Sequence, residues 1–145
     1  MKIEDFVRES NRIEGILRDP LPIEVFATQG FLEHKSLHVG HLTGLVSSLQ
    51  PDAKLRDRYG LDVRVGNHFP PKGSPEIGKN LQTLLDEINA GRLNPYSAHV
   101  RYETLHPFTD GNGRSGRAIW LWQMKSAPLG FLHHFYYQSL QNARP

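Results

Sequence analysis

Apolar residues recur every three to four positions along most of this chain, and that rhythm predicts helices. Ile3, Phe6, Val7, Ile13, Ile16 and Leu17 place one over residues 2 to about 17. Asp19-Pro20 and Pro22 close it, because proline cannot continue a helix. A second helical region spans about 23 to 49, carried by Val25, Phe26, Leu32, Leu37, Leu42, Leu45, Val46 and Leu49, with Gly30 and Gly40 as its weak points. Residues 60–73, GLDVRVGNHFPPKG, break the rhythm. Leu61, Val63 and Val65 alternate with Asp62 and Arg64, Gly66-Asn67 makes a turn, and Pro70-Pro71 blocks extension, which predicts a short β-hairpin. Ser74-Pro75-Glu76 has the cap, proline and first-turn acid of a helix start. Ile77, Leu81, Leu84, Leu85 and Ile88 continue that helix to Gly91. Another helix is expected over about 95 to 105, stopping before His106-Pro107. The next opens near Gly111 and runs to about Ser126. Pro128 ends it, and a last helix over 128–145 carries Leu132, Phe135, Tyr136 and Leu140. Trp120 and Trp122, two apart, cannot share a helix face, so one is expected in the core and the other near the surface or an interface. The result is an all-α protein with one hairpin, in a single domain over residues 1–145.

Composition changes this picture little. A chain of 145 residues buries roughly 70% of its unfolded surface as one domain. There is no cysteine, hence no disulfide framework and no thiolate zinc site. No apolar run approaches the ~20 residues that span a bilayer. The start, MKIEDFVRESNRIEG, is amphipathic and acidic, unlike a secretory signal. A cytoplasmic protein with no membrane association is expected. A net charge of +2 excludes a general nucleic-acid binder. Charge distribution is more informative. No acid follows Asp110, while Arg114, Arg117, Lys125 and Arg144 do, which points to a local anion site.

The chemistry concentrates in HPFTDGNGRSGR, residues 106–117. Gly111-x-Gly113-x-x-Gly116 resembles a dinucleotide fingerprint, but that fingerprint needs a preceding strand and an acid about 20 residues on. Neither is present, and the Lys-Ser/Thr of a phosphate-binding P-loop is missing too. Other chemistry remains. Gly111 and Gly113 let backbone N–H groups approach a ligand at a helix N-terminus, where the dipole favours anions. Arg114 and Arg117 are three apart and share a helix face, so two guanidinium forks can grip successive phosphates. Asp110 is a hard oxygen ligand suited to Mg2+ beside phosphate. The Asn112 amide can donate to a phosphate oxygen. His106 can take a proton from an attacking hydroxyl. Together these describe a site that transfers part of a nucleoside triphosphate.

At these residues the chain resembles the Fic (Fic/Doc) family, whose signature H-x-F-x-[DE]-G-N-G-R-x-x-R is matched at every specified position of 106–117. The resemblance extends to Ala98-His99, Arg101-Tyr102 and Leu105, and to the Val63–Pro71 segment, which is similar to the family's flap. It implies a Fic-type helical bundle with a core over 23–126 and a flap over 60–73. It also implies adenylyl transfer from ATP to a Ser, Thr or Tyr hydroxyl of a protein substrate, with release of pyrophosphate. His106 would be the base and Asp110 the Mg2+ ligand. Gly111, Asn112 and Gly113 would form the anion hole, Arg114 would bind the β-phosphate, and Arg117 the γ-phosphate. Val63, Arg64 and Val65 of the flap would dock the target's extended segment. Phe108 would anchor the loop in the core. The Doc branch, which phosphorylates its targets, carries lysine where this chain has Gly113, so Gly113 argues for AMP transfer. Doc-type phosphoryl transfer and a nucleotide-binding regulatory module are the alternatives.

Residues 10–15, SNRIEG, are similar to the family's inhibitory motif [S/T]-x-x-x-E-[G/N]. Ser10 and Glu14 lie four apart on one helix face. A carboxylate against Arg117 would compete with the γ-phosphate and turn the α-phosphate away from in-line attack. Residues 1–18 are therefore expected to form an N-terminal inhibitory helix, of class II type. Whether Glu14 reaches its own chain or a neighbour stays open, as does a homo-oligomer. His34, His38 and His41 lack a carboxylate that would complete a metal site, and are expected to be ordinary helix histidines.

Overall fold

The computed structural model describes residues 2–124. Among them the fold is all-α, with six helices. Helix α1 spans Ile3–Ile13, α2 Pro22–Leu32, α3 Val39–Leu49, α4 Pro75–Asn89, α5 Pro95–Leu105 and α6 Asn112–Gln123. The expected helix over 128–145 lies outside the described residues.

Local signals explain most helix ends. Ser74 Oγ accepts the Glu76 N–H and Pro75 follows as the first helical residue of α4. Asn94 Oδ1 does the same for the Ser97 N–H ahead of Pro95 in α5. Helix α1 stops earlier than its apolar pattern, at Ile13, because Gly15 turns left-handed (φ +78°). The Gly15 N–H then bonds Arg12 O and the Ile16 N–H bonds Asn11 O, closing the helix end.

The expected helical region over 23–49 is two helices. The break is not at Gly30 or Gly40, which are both helical, but at Glu33–His38. There Asn89 of α4 holds Leu37 through both its backbone groups, accepting the N–H and donating to the carbonyl (2.8 Å each). Leu37 itself is fully buried. This contact spans 52 residues of sequence and is invisible to local periodicity. His34 and His38 consequently lie in the turn and only His41 is helical, correcting the expectation of three helix histidines. The expected hairpin narrows to one antiparallel bridge, Val65 with His68, within an irregular loop.

Helix α6 is the centre, packing on α1, α2, α3 and α5. That position explains why both Trp120 and Trp122 are buried (3% and 8% exposed), where one was expected near the surface or an interface. A helix covered on all sides buries every face. The main core joins Leu42, Leu45 and Val46 of α3, Leu81 and Leu85 of α4, Tyr102 of α5 and Ile119 of α6. A satellite cluster of Phe6, Val7 and Leu121 docks α1 against α6. No helix among the described residues is long and apolar enough to cross a membrane.

Candidate active site

The loop from α5 to α6 is built before any ligand arrives. Phe108 is 1% exposed and sits in the main core. The Asn112 side chain spans the loop, accepting the Phe108 N–H (2.9 Å) and donating to its carbonyl (2.8 Å). This corrects the expected role of its amide. The side chain is already committed, and only the backbone N–H of Asn112 is available to an anion. Gly111 takes the left-handed cap position (φ +80°), and its N–H donates to Asp110 Oδ1 (2.7 Å). The N–H groups of Asn112, Gly113 and Arg114 open α6 and have no partner within the helix, so they point out of its positive end. From α5, the Tyr102 hydroxyl lies 2.7 Å from Ser115 Oγ, which donates to Gly111 O, pinning the start of α6.

The two arginines lie at the α1 side of this helix end. Arg117 is 3% exposed. Its Nε–H donates to Ser10 Oγ (2.7 Å), and Nη2 donates to Ser10 O (3.0 Å) and to Glu14 Oε1 (2.6 Å). Ser10 and Glu14 therefore meet Arg117 of their own chain. The Glu14 carboxylate also lies directly over Gly113, where an added Cβ would be 2.3 Å from Oε1. Arg114 is held by four acceptors: Asn11 Oδ1, Glu24 Oε2, Leu49 O and Gln50 Oε1, at 3.0 to 3.4 Å.

His106 ends α5 in a left-handed turn (φ 49°, ψ 62°), the one positive-φ residue other than glycine among those described. Burial of the ring, followed by the Arg56 guanidinium, pushes its pKa below the ordinary value; the Glu103 carbonyl opposes this, and His68 (lowering) and Asp110 (raising) act more weakly. The imidazole is therefore neutral at neutral pH, the form a base requires. Nδ1 is buried and His106 lines the cleft, so Nε2 is the ring nitrogen that an incoming group can reach.

A cleft of about 360 Å³ has Glu14, Val65, His106, Asp110, Gly113 and Arg114 on its walls, while the buried Arg117 is not among its lining residues. That volume falls in the range of small-molecule sites. Of the flap residues, Val65 reaches the cleft. Arg64 is exposed, stacks on Phe69 (4.8 Å) and donates to Gly66 O, and Val63 lies half-buried in the loop. No cluster of three or more metal-ligating side chains occurs among the described residues. Asp110 offers a single carboxylate, one oxygen of which is engaged by Gly111. One carboxylate oxygen beside an anion site fits Mg2+, which completes its shell with phosphate oxygens and water.

Three contributors escaped the sequence reading. Glu24, 1% exposed, binds Arg18 through both oxygens (2.9 and 3.1 Å), the Leu21 N–H, Asn11 and Arg114. Burial raises its pKa, but the bonds from Arg18 and Leu21 outweigh this and leave it low. Its first-turn acid position after Pro22 was the available signal. Asn11, the residue after Ser10 in α1, is 1% exposed and links Glu24 to Arg114. Arg56 had no signal, since LRDR reads as a solvated charge run. A family model described as "Fic/DOC family" matches residues 35–124, more than half of the chain.

Proposed function

Because this chain belongs to the Fic/DOC family, we propose that it is a protein adenylyltransferase held inactive by its own N-terminal helix. Membership makes it a Fic-type enzyme of nucleotidyl or phosphoryl transfer, with nucleotide and protein substrates. The observation that carries the finer reading is the Glu14–Arg117 contact at 2.6 Å, made directly over Gly113 at the start of α6.

In this reading ATP lies along the first turn of α6. The backbone N–H groups of Asn112, Gly113 and Arg114 donate to phosphate oxygens, Arg117 takes the γ-phosphate in place of Glu14, and Arg114, which lines the cleft, takes the β-phosphate by exchanging one of its four acceptors. Asp110 holds Mg2+, which when bound offsets phosphate charge. A target Ser, Thr or Tyr hydroxyl, registered along the flap at Val65, approaches His106. Nε2 of His106 accepts its proton as the oxygen attacks the α-phosphorus. The bond from that phosphorus to the bridging oxygen of the β-phosphate breaks, and pyrophosphate leaves with the electron pair. While Glu14 occupies Arg117, the γ-phosphate is denied its anchor and the α-phosphate is not aligned with the hydroxyl. Gly113 supports AMP over phosphate transfer, since a lysine there would remodel the anion nest and favour a different nucleotide orientation.

The test uses Glu14→Gly with ATP labelled at the α- or the γ-phosphate, in cell lysate. Adenylyl transfer gives protein labelling from the α-label alone, removed again by His106→Ala. Labelling from the γ-label would instead assign phosphoryl transfer. ATP binding without any labelling would leave a nucleotide-binding module.

A further inference from the structure

Arg56 is fully buried, and among the described residues no carboxylate lies within salt-bridge distance of it, although Asp62 of the flap loop acts on it as a charge. Four of its donor contacts go to backbone carbonyls instead. Nε donates to His106 O (2.7 Å) and Nη2 to Leu105 O (2.9 Å). Nη1 donates to Leu61 O (3.1 Å) and Pro71 O (2.7 Å). The first two acceptors end α5, where a cation favours the helix dipole and orphan carbonyls need donors. The other two lie at either end of the flap loop. The backbone adds to the link: the Arg56 N–H donates to Pro107 O (2.8 Å), and Arg56 O accepts the Ser74 N–H (3.1 Å).

We propose that Arg56 is a positioning residue for the transfer reaction, one guanidinium that locks the left-handed turn of the base His106 and the target-docking flap into a fixed relation. The inference rests on the adenylyltransferase reading and deepens it. A left-handed histidine is strained and persists only where surrounding contacts over-determine it. Here the carbonyl of that residue and the one before it are both taken by Arg56. A rigid planar fork can hold carbonyls on two segments at once, whereas a lysine ammonium cannot fix their mutual angle. Burying a guanidinium satisfied by carbonyls rather than by a bonded carboxylate is costly, and its place between a base and a docking loop fits a positioning role. Arg56 also faces the imidazole as a charge, together with His68 of the flap and Asp110 of the loop.

The experiment places Arg56→Lys and Arg56→Gln in the Glu14→Gly background and follows labelling of the protein itself from ATP carrying an α-label. Both variants are expected to fold. The rate at saturating ATP should fall about 50-fold, since misplacement by an ångström can cost about 100-fold, while half-saturation by ATP stays within about twofold. The His106 ring, titrated by NMR without turnover, should show a higher pKa in Arg56→Gln, because removing a nearby cation favours the protonated ring. An unchanged rate and ring pKa in folded variants would overturn the proposal. So would a parallel loss of ATP binding, or failure of both variants to fold, either of which assigns Arg56 to general stability. Absence of labelling in the Glu14→Gly parent would instead strike the reading of the reaction, and the ring titration would still decide the role of Arg56 in holding the base.

Discussion

Glu14→Gly should raise AMP transfer far more than it tightens ATP. In the structure Arg117 donates to Ser10 twice and to Glu14 once. The substitution removes one charge-assisted bond, worth roughly 1.5–3 kcal/mol when well shielded. The Glu14 side chain is 41% exposed, so solvent screening places the bond near the lower end, about 1.5 kcal/mol. A γ-phosphate no longer competing with that carboxylate should bind about tenfold more tightly. The rate gains more, because in-line alignment can contribute roughly 7–11 kcal/mol to a transfer step. Labelling should therefore rise at least about 100-fold. Glu14→Gln, which keeps the shape and loses the charge, should fall between. Calorimetry with Mg2+ and ATP gives the affinity, and incorporation of α-labelled ATP gives the rate. A folded Glu14→Gly protein with tenfold tighter ATP and no gain in labelling would refute the alignment argument. One with neither change would refute the competition itself.

Gly113→Ala should loosen the same latch from the other side, since the new methyl would meet Glu14 Oε1 at 2.3 Å and the carboxylate is the mobile partner. Labelling should rise over the parent but not when Glu14 is already glycine, and equal effects in both backgrounds would disprove the coupling. Asn11→Ala removes the link between Glu24 and Arg114 (3.3 Å to each). It should lower stability by about 1–2 kcal/mol and raise labelling by less than Glu14→Gly does; a melting-point loss without any rate gain would separate Asn11 from the brake. Burial lowers the pKa of His99 to about 4, helped by Arg117 and opposed by the Gly116 carbonyl. The unfolded chain, with an ordinary histidine near 6.5, binds the proton first. Stability is therefore present above pH 6.5 and is lost as pH falls towards 4, by about 2 kcal/mol at pH 5 from this group. Urea titrations at pH 7 and 5 should show a smaller difference in His99→Gln, and an identical difference would exclude His99 as the source.

Much of this protein is legible along one dimension. The capped start at Ser74 and the proline at Pro75 act within a few residues, so a local pattern reveals them, whereas the apolar period overruns the left-handed turn at Gly15. The 106–117 stretch is legible for a related reason: its chemistry is compressed into one loop and one helix turn. The contact of the N-terminal helix with Arg117 is legible too, because Ser10 and Glu14 lie four apart, on one side of α1 and its C-cap. Tertiary structure decided the rest. The break between α2 and α3 depends on Asn89, the committed amide of Asn112 on a folded loop, and the burial of both tryptophans on a central α6. Glu24, Asn11 and Arg56 acquire their roles only when segments 49 to 103 residues apart come together. A surface-like charge run such as LRDR carries no mark of burial, because the carbonyls that receive Arg56 belong to a helix end and a loop that meet it only in three dimensions.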